Sequence, residues 1–215
     1  GISIHGAGIY VLTHDVLIQH LRIRAGDDPD GPPPVSRDAL TIYNPSPTSS
    51  EVYNVVIDHC SLTWAIDENL NTRSEYLYGV ERVTIRHCLI AEGLDSPLHP
   101  EGGHSRGFLI GKDDQDILVY GNLFAHNANR NPVVSIRSRA LIANNYIYNP
   151  QSASIHFYPG DPLEATVVGN VLKDGPDTNN NVIGSHWTVH VPDFGSDGPV
   201  HPESEIYVSE NRSDN

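Results

Sequence analysis

The feature that most constrains the fold of this sequence is an internal repeat. Seven segments each carry a β-branched residue that is followed, three positions later, by a leucine, a cysteine or an asparagine. They are VLIQHLRI (16–23), VVIDHCSL (55–62), VTIRHCLI (83–90), ILVYGNLF (117–124), ALIANNYI (140–147), TVVGNVLK (166–173) and IYVSENR (206–212). The shortest spacing, from Asn122 to Asn145, is 23 residues. Such a repeat predicts a stack of similar units, because each unit buries its apolar face only against its neighbours.

A second set of strand-like segments alternates with the first. They are DALTIYN (38–44), NLNTR (69–73), RGFLIG (106–111), NPVVSIR (131–137) and SASIHFY (152–158). The near absence of helical periodicity excludes a doubly wound α/β fold, and a sandwich would show turns every ~8–12 residues. We therefore predict an all-β chain, a right-handed parallel β-helix with two stacked sheets made by the two strand sets, as a single domain over residues 1–215.

When the seven segments are aligned, the residues three positions after the β-branched residue form one column, and this column predicts hydrogen bonding between coils. Its last four members are Asn122, Asn145, Asn170 and Asn211. Coils of a β-helix lie ~4.8 Å apart, so side-chain amides in one column can bond from coil to coil. Ordinary turn chemistry is the alternative, but the constant apolar residue three positions earlier favours a ladder. Cys60 and Cys88 occupy the same column, where parallel side chains suit a disulfide poorly, so we predict buried thiols.

Composition narrows the possible partners. The chain has 13 Lys and Arg against 27 Asp and Glu, a net charge of −14, whereas a binder of phosphate backbones shows a basic face. No apolar run approaches the ~18 residues of a membrane-spanning helix. We expect no nucleic-acid partner, no membrane partner and a monomer. Because the chain lacks Met and begins within a strand pattern, we expect truncation at the N-terminus and possible truncation at the C-terminus.

The residues that open the second strand set are charged and sorted by sign. Asp38 and Asp67 stand at the first two of these strands, and Arg106 and Arg130 stand at the next two. A β-helix would place them along one groove, at ~4.8 Å per coil. Charges on a solvated turn would explain any one of them, but not the sorting. Carboxylates favour Ca²⁺ and arginine forks match sugar carboxylates, so the pattern indicates an anionic polymer bound partly through calcium.

Three longer blocks resemble a known family. VVIDHCSLTWAIDENL, GGHSRGFLIG and NRNPVVSIRSRALIANNYIYN are similar, in this order, to pectate lyases of the first polysaccharide lyase family. The similarity covers most of the chain. It implies a parallel β-helix, secretion, Ca²⁺ as the cofactor and eliminative cleavage of polygalacturonate. Asp58 and His59 match a motif to which the resemblance gives a structural role.

The resemblance also implies a set of calcium ligands. It assigns Asp38 and Asp67 as acidic ligands. The position that pairs with Asp67 holds Asn71, a neutral amide where the family has an acid. Glu68 is the residue that could compensate, and we expect weak calcium binding in the absence of substrate.

The remaining assignments concern arginine side chains. The resemblance places a residue that grips the substrate carboxylate at Arg106, and the catalytic arginine of an Arg-x-Pro motif at Arg130. A second family arginine is replaced here by Ser135, and Arg137 is the candidate substitute. Arginine is an unusual base because its free pKa is above ~12. The predicted groove contains no lysine, however, and His126 matches no motif there.

Two other functions stay open at this stage. A hydrolase of the polygalacturonase type would use acidic residues as acid and base at glycosidase separations, which the sorting into acids and arginines disfavours. A non-catalytic carbohydrate-binding β-helix would arise if truncation or the serine at position 135 had removed activity.

Overall fold

The structure, a computed structural model, describes residues 1–178 and 200–213, and strands dominate it. The strands are β1 (Ser3–His5), β2 (Ile9–Val11), β3 (Val16–Gln19), β4 (Arg22–Arg24), β5 (Leu40–Asn44), β6 (Tyr53–Asp58), β7 (Ser61–Thr63), β8 (Glu68–Ser74), β9 (Glu81–Arg86), β10 (Leu89–Ala91), β11 (Arg106–Ile110), β12 (Gln115–Tyr120), β13 (Leu123–Ala125), β14 (Val133–Val134), β15 (Arg139–Ala143), β16 (Tyr146–Tyr148), β17 (His156–Phe157), β18 (Glu164–Val168), β19 (Val171–Lys173), β20 (Glu205–Ser209) and β21 (Arg212–Ser213). Within the described residues the only helical segment is the 3₁₀ turn Pro34–Ser36, and no helix there could span a membrane.

The strands form three parallel sheets, and the chain is a parallel β-helix as predicted. The eight-stranded sheet contains β1, β4, β7, β10, β13, β16, β19 and β21. The six-stranded sheet contains β2, β5, β8, β11, β14 and β17, and the seven-stranded sheet contains β3, β6, β9, β12, β15, β18 and β20. Each complete coil therefore contributes one strand to each sheet, and the strands of neighbouring coils pair in register.

The prediction of two sheets was wrong, because each segment of the first strand set makes two strands. Two residues separate the two strands of each segment, and the first of the two has φ between +51° and +67°. These corner residues are His20, His59, His87, Gly121, Asn144, Gly169 and Glu210. The left-handed conformation turns the chain sharply, so the two halves of each segment enter different sheets.

The asparagine ladder is confirmed at this corner. The amide of Asn122 donates to Asn145 at 2.9 Å, Asn145 donates to Asn170 at 2.9 Å, and Asn170 donates to Asn211 at 2.8 Å. Cys60 and Cys88 continue the column as free, buried thiols, as predicted. The ladder satisfies buried amides and carbonyls that would otherwise each cost about 1–3 kcal/mol.

The core fills the space between the three sheets. In β6 and β9 fully buried apolar side chains alternate with half-buried ones, and Val55, Ile57, Val83 and Ile85 are the buried set. Phe108 from β11 enters the same cluster. Each such side chain contributes about 1.5–3 kcal/mol relative to an exposed position, and together they hold the corners in place.

Candidate functional site

Most of the predicted site residues lie at the corner where the chain passes from the eight-stranded into the six-stranded sheet. Asp38 lies two residues before β5, Glu68 and Arg106 begin β8 and β11, and Arg130 lies in the turn before β14. Arg106 is the register partner of Glu68 on the adjacent strand. Because parallel strands in register place equivalent residues side by side, the order of the coils becomes a row of acids followed by arginines.

Three carboxylates lie together at the acidic end of this row. One oxygen from each of Asp38, Asp67 and Glu68 lies within 4.8 Å of the others. The Asp38 carboxylate is buried and accepts hydrogen bonds from Thr41 Oγ1 at 2.7 Å, from Asn71 Nδ2 at 3.1 Å and from the backbone N–H of Glu68 at 3.0 Å. Burial raises the pKa of Asp38 to about 6, and the negative charge of Asp67 acts in the same direction. Acids packed this closely need neighbouring cations.

Both arginines of the row are ion-paired with these acids. Arg106 Nη1 donates to Asp67 Oδ1 at 3.0 Å and lies 3.6 Å from Glu68 Oε1. Arg130 donates from Nη1 to Glu68 Oε1, and its guanidinium carbon lies 5.8 Å from the centre of the Tyr158 ring. The residues thus form one network. With all of its groups ionised, the network holds more negative than positive charge, so an anionic sugar would bind better in the presence of a further cation.

The donor set fits a calcium ion. Asn71 turns its Nδ2 toward Asp38, and among the described residues no group donates to its buried Oδ1. A buried, unsatisfied carbonyl oxygen on a residue that contacts Asp38 is an available ligand. Ca²⁺ takes six to eight oxygen ligands from carboxylates, carbonyls and water. Asp38, Asp67, Glu68 and Asn71 supply oxygen donors only, which matches that preference.

Close backbone packing places Arg130. The N–H of Phe108 donates to the Arg130 carbonyl at 2.6 Å, so β11 holds the turn that carries the guanidinium. A Cβ at Gly107 would collide with that same carbonyl, and would lie 2.9 Å from Asn131 Oδ1 and 3.1 Å from Asn127 Nδ2. Glycine at position 107 therefore permits the close approach of the two coils.

A buried asparagine network, which the sequence did not predict, supports the turn that carries Arg130. Asn69 Nδ2 donates to Asn127 Oδ1 at 3.0 Å, and Asn127 Nδ2 donates to Asn131 Oδ1 at 3.0 Å. All three side chains are buried. The network fixes Asn131, the residue after Arg130. The loops at this corner differ in length from coil to coil, so these asparagines form no regular column in the sequence.

The structure does not bring Arg137 to the row. Arg137 lies beyond the far end of β14, where Nε and Nη2 donate to Asp113 at 2.6 and 2.9 Å and Nη1 donates to Asp161. These carboxylates raise the pKa of Arg137. Ser135 directly follows β14 and lines a surface pocket of about 420 Å³ with Tyr158, the residue whose ring faces Arg130.

His104 is a further neighbour that sequence reasoning passed over. Its side chain is buried, and its Nε2 lies 3.4 Å from Asp67 Oδ1. The ring packs on His99 with centroids 3.7 Å apart. Both histidines belong to the long loop between β10 and β11, so this loop covers the acidic end of the row. No motif marked these histidines, because only the folding of the loop brings them to Asp67.

Comparison with known proteins gives two curated relatives. A protein named probable pectate lyase C from Aspergillus terreus is 27% identical over 183 residues, which cover 83% of this chain and 38% of the relative. A protein of the same name from Emericella nidulans is 27% identical over 180 residues, covering 83% of this chain and 36% of the relative. The chain therefore spans little more than a third of these relatives. No protein-family model matches the sequence.

Among solved structures, the A-module of the mannuronan C-5 epimerase AlgE6 from Azotobacter vinelandii has a similar fold. The match has a TM-score of 0.62 and covers 100% of this chain and 54% of the epimerase chain. Its sequence identity is 12%. At that identity the match concerns the fold alone, and it agrees with the parallel β-helix described above.

Proposed function

We propose that this parallel β-helix, whose curated relatives are named probable pectate lyase C, cleaves polygalacturonate by calcium-dependent β-elimination outside the cell. The observation that carries the proposal is the row at the sheet corner, in which three clustered carboxylates adjoin two arginines. The names of the two curated relatives support an acidic polysaccharide as the substrate. The row offers what such a polymer requires: sites for a cation and for its carboxylates.

The cation site would be formed by Asp38, Asp67, Glu68 and Asn71. Bound there, Ca²⁺ would withdraw charge from the uronate carboxylate and so acidify the adjacent C5–H. Asn71 contributes an uncharged oxygen, so the site has one negative charge fewer than an acid at this position would give. We therefore expect the site to fill mainly when the carboxylates of the substrate complete it.

The base in the proposed reaction is Arg130. Its neutral guanidine takes the C5 proton, the C–H electron pair becomes the C4–C5 double bond, and the C4–O bond breaks as water protonates the leaving oxygen. Arg106 binds the uronate carboxylate through its guanidinium fork. The step requires a guanidine without its extra proton, so turnover should rise as the pH increases.

Glu68 links cation binding to the base. In this structure Glu68 accepts a hydrogen bond from Arg130, and the guanidinium is held in that ion pair. A base must have a free nitrogen lone pair directed at the substrate. We therefore propose that Arg130 becomes competent when the oxygens of Glu68 are engaged at the cation site.

Digestion of polygalacturonate, followed by ultraviolet absorbance and by reducing ends, tests the activity. Release of an unsaturated uronate that stops in excess chelator and returns with Ca²⁺ supports the proposal. Reducing ends without unsaturation would indicate a hydrolase, binding without either signal would indicate a carbohydrate-binding protein, and both outcomes contradict a lyase. Undiminished lyase activity in chelator would contradict the calcium requirement alone.

The role of Arg130 is tested by Arg130→Lys. Lysine keeps the charge but loses the fork, so a residue that only clamps substrate would raise KM and leave appreciable turnover. Loss of the base should lower kcat at least ~100-fold with little change in KM. Arg139→Lys is the matched control, because Arg139 is exposed and pairs with Asp116 outside the row. Near-normal kcat in Arg130→Lys would refute the assignment.

A further inference from the structure

A stack of imidazoles lies at a different corner of the coils from the acidic row. His20, His59 and His87 occupy the left-handed corner positions between the seven-stranded and eight-stranded sheets in three successive coils. The ring centroids of His20 and His59 are 5.4 Å apart, and those of His59 and His87 are 5.0 Å apart. The register of the coils thus brings together side chains that are 28 or more residues apart in sequence.

One carboxylate orients two of these rings. Asp58 Oδ1 lies 2.6 Å from His59 Nδ1 and 3.4 Å from His87 Nδ1. Its Oδ2 accepts hydrogen bonds from Gln19 Nε2 at 2.8 Å and from Arg86 Nη2 at 3.1 Å. These four donors hold the pKa of Asp58 well below its usual range. An ionised carboxylate only accepts hydrogen bonds, so both Nδ1 atoms carry hydrogen, and in the neutral form of each ring Nε2 is the nitrogen that can bind a metal.

The Nε2 edges of these rings are open. The side chains of His59 and His87 are 53% and 43% exposed. The next residue of the same corner column is Gly121, where a Cβ would lie 3.1 Å from His87 Cδ2 and 3.4 Å from His87 Nε2. Glycine at this position leaves the nitrogen edge of His87 clear on the side of the following coil.

We propose that His59 and His87 form a binding site for a divalent transition metal such as Zn²⁺, with Asp58 as its supporting carboxylate. Imidazole nitrogens suit Zn²⁺, Cu²⁺ and Ni²⁺, whereas Ca²⁺ prefers the all-oxygen set of the row. A histidine that binds a metal through one nitrogen commonly donates its other N–H to a carboxylate, and Asp58 provides this contact twice. One oxygen of Asp58 and one nitrogen of each ring lie within 4.8 Å of one another, and the Nδ1 contacts to Asp58 account for this, so a metal would bind at the opposite, Nε2 edges of the two neighbouring rings. A metal at this site would join two adjacent coils and so stabilise the folded chain.

Calorimetric titration of the metal-free chain with Zn²⁺, in excess Ca²⁺ to occupy oxygen sites, tests the proposal. His59→Gln and His87→Gln should each weaken Zn²⁺ binding at least ~10-fold and remove a Zn²⁺-induced rise in Tm. His14→Gln is the matched control, because His14 also contacts a carboxylate, Asp15 at 2.8 Å, but stacks on Tyr53 rather than on a second imidazole. This control should bind Zn²⁺ like the wild type.

Two results would overturn the proposal. One is Zn²⁺ affinity that is unchanged in both His59→Gln and His87→Gln, which would place any bound metal elsewhere. The other is a Cu²⁺ complex of the wild-type chain whose electron paramagnetic resonance spectrum shows no nitrogen coupling. The second measurement needs no substitution, so it can overturn the proposal even where a variant folds poorly.

Discussion

Replacing Asn145 by alanine removes an interior member of the asparagine ladder, the second of its four residues. The Asn145 side chain makes four hydrogen bonds: Nδ2 donates to Val119 O at 3.0 Å and to Asn170 Oδ1 at 2.9 Å, and Oδ1 accepts from the backbone and side chain of Asn122, both at 2.9 Å. At a net value of about 1 kcal/mol per hydrogen bond, and with buried partners left unsatisfied, Asn145→Ala should lower the free energy of unfolding by about 3–5 kcal/mol. That is a large part of the 5–15 kcal/mol typical of a domain.

Urea unfolding followed by circular dichroism measures this loss, and two further variants separate its causes. Asn211→Ala removes the same kinds of bond at the half-buried end of the ladder, where water can replace them, so its cost should be clearly smaller. Asn145→Cys introduces a thiol at the position that Cys88 occupies in its own coil, where the sulfur accepts a backbone hydrogen bond. This variant should lose an intermediate amount of unfolding free energy. A cost below about 1.5 kcal/mol for Asn145→Ala, or one equal to that of Asn211→Ala, would refute the argument from buried hydrogen bonds.

Three other predictions follow from single residues. Burial raises the pKa of Asp114 to about 7, so the folded state binds the proton of this carboxyl more tightly than the unfolded state does. The stability that this proton binding contributes is therefore lost as the pH rises from about 4 through 7. Urea unfolding of Asp114→Asn at pH 5 and pH 8 should show a weaker pH dependence than the wild type; an unchanged dependence would contradict this. Gly107→Ala should lower kcat on polygalacturonate at temperatures where the variant is still folded, because the new Cβ meets the carbonyl of Arg130. A wild-type kcat would refute the role of Gly107 in placing Arg130. Arg137→Ala should leave kcat and KM near wild type and reduce Tm, because its partners are Asp113 and Asp161; a large rise in KM would show that Arg137 reaches the substrate.

The repeat predicted the β-helix because the asparagine column and the apolar positions before it recur in sequence. What it did not predict is the third sheet. The corner depends on a left-handed residue, and at three coils that residue is His20, His59 or His87, which carries no strong turn signal. Tertiary register, rather than local propensity, holds these histidines at positive φ, so the bend is visible only in the assembled coils.

The sequence predicted the order of the charged residues along the coils, but not which side chains contact each other. The sequence placed acids and arginines on successive coils, and the structure puts them in one row. It could not show that Arg130 pairs with Glu68, or that Asn71 leaves an unsatisfied oxygen, since both depend on side-chain rotamers. Arg137 was proposed from its distance in sequence to Ser135, and the turn after β14 directs it instead to Asp113.

The corner that carries the row joins its two sheets through segments of very different length. The chain needs only residues 64–67 between β7 and β8, but uses residues 92–105 between β10 and β11. Inserting residues into such a surface loop costs little entropy, and the paired strands on either side keep their register. Selection can therefore lengthen or shorten the loop beside the row while the charged residues of the row stay in place. A lineage built on this scaffold could acquire a preference for a different sugar acid through one loop, without refolding its core.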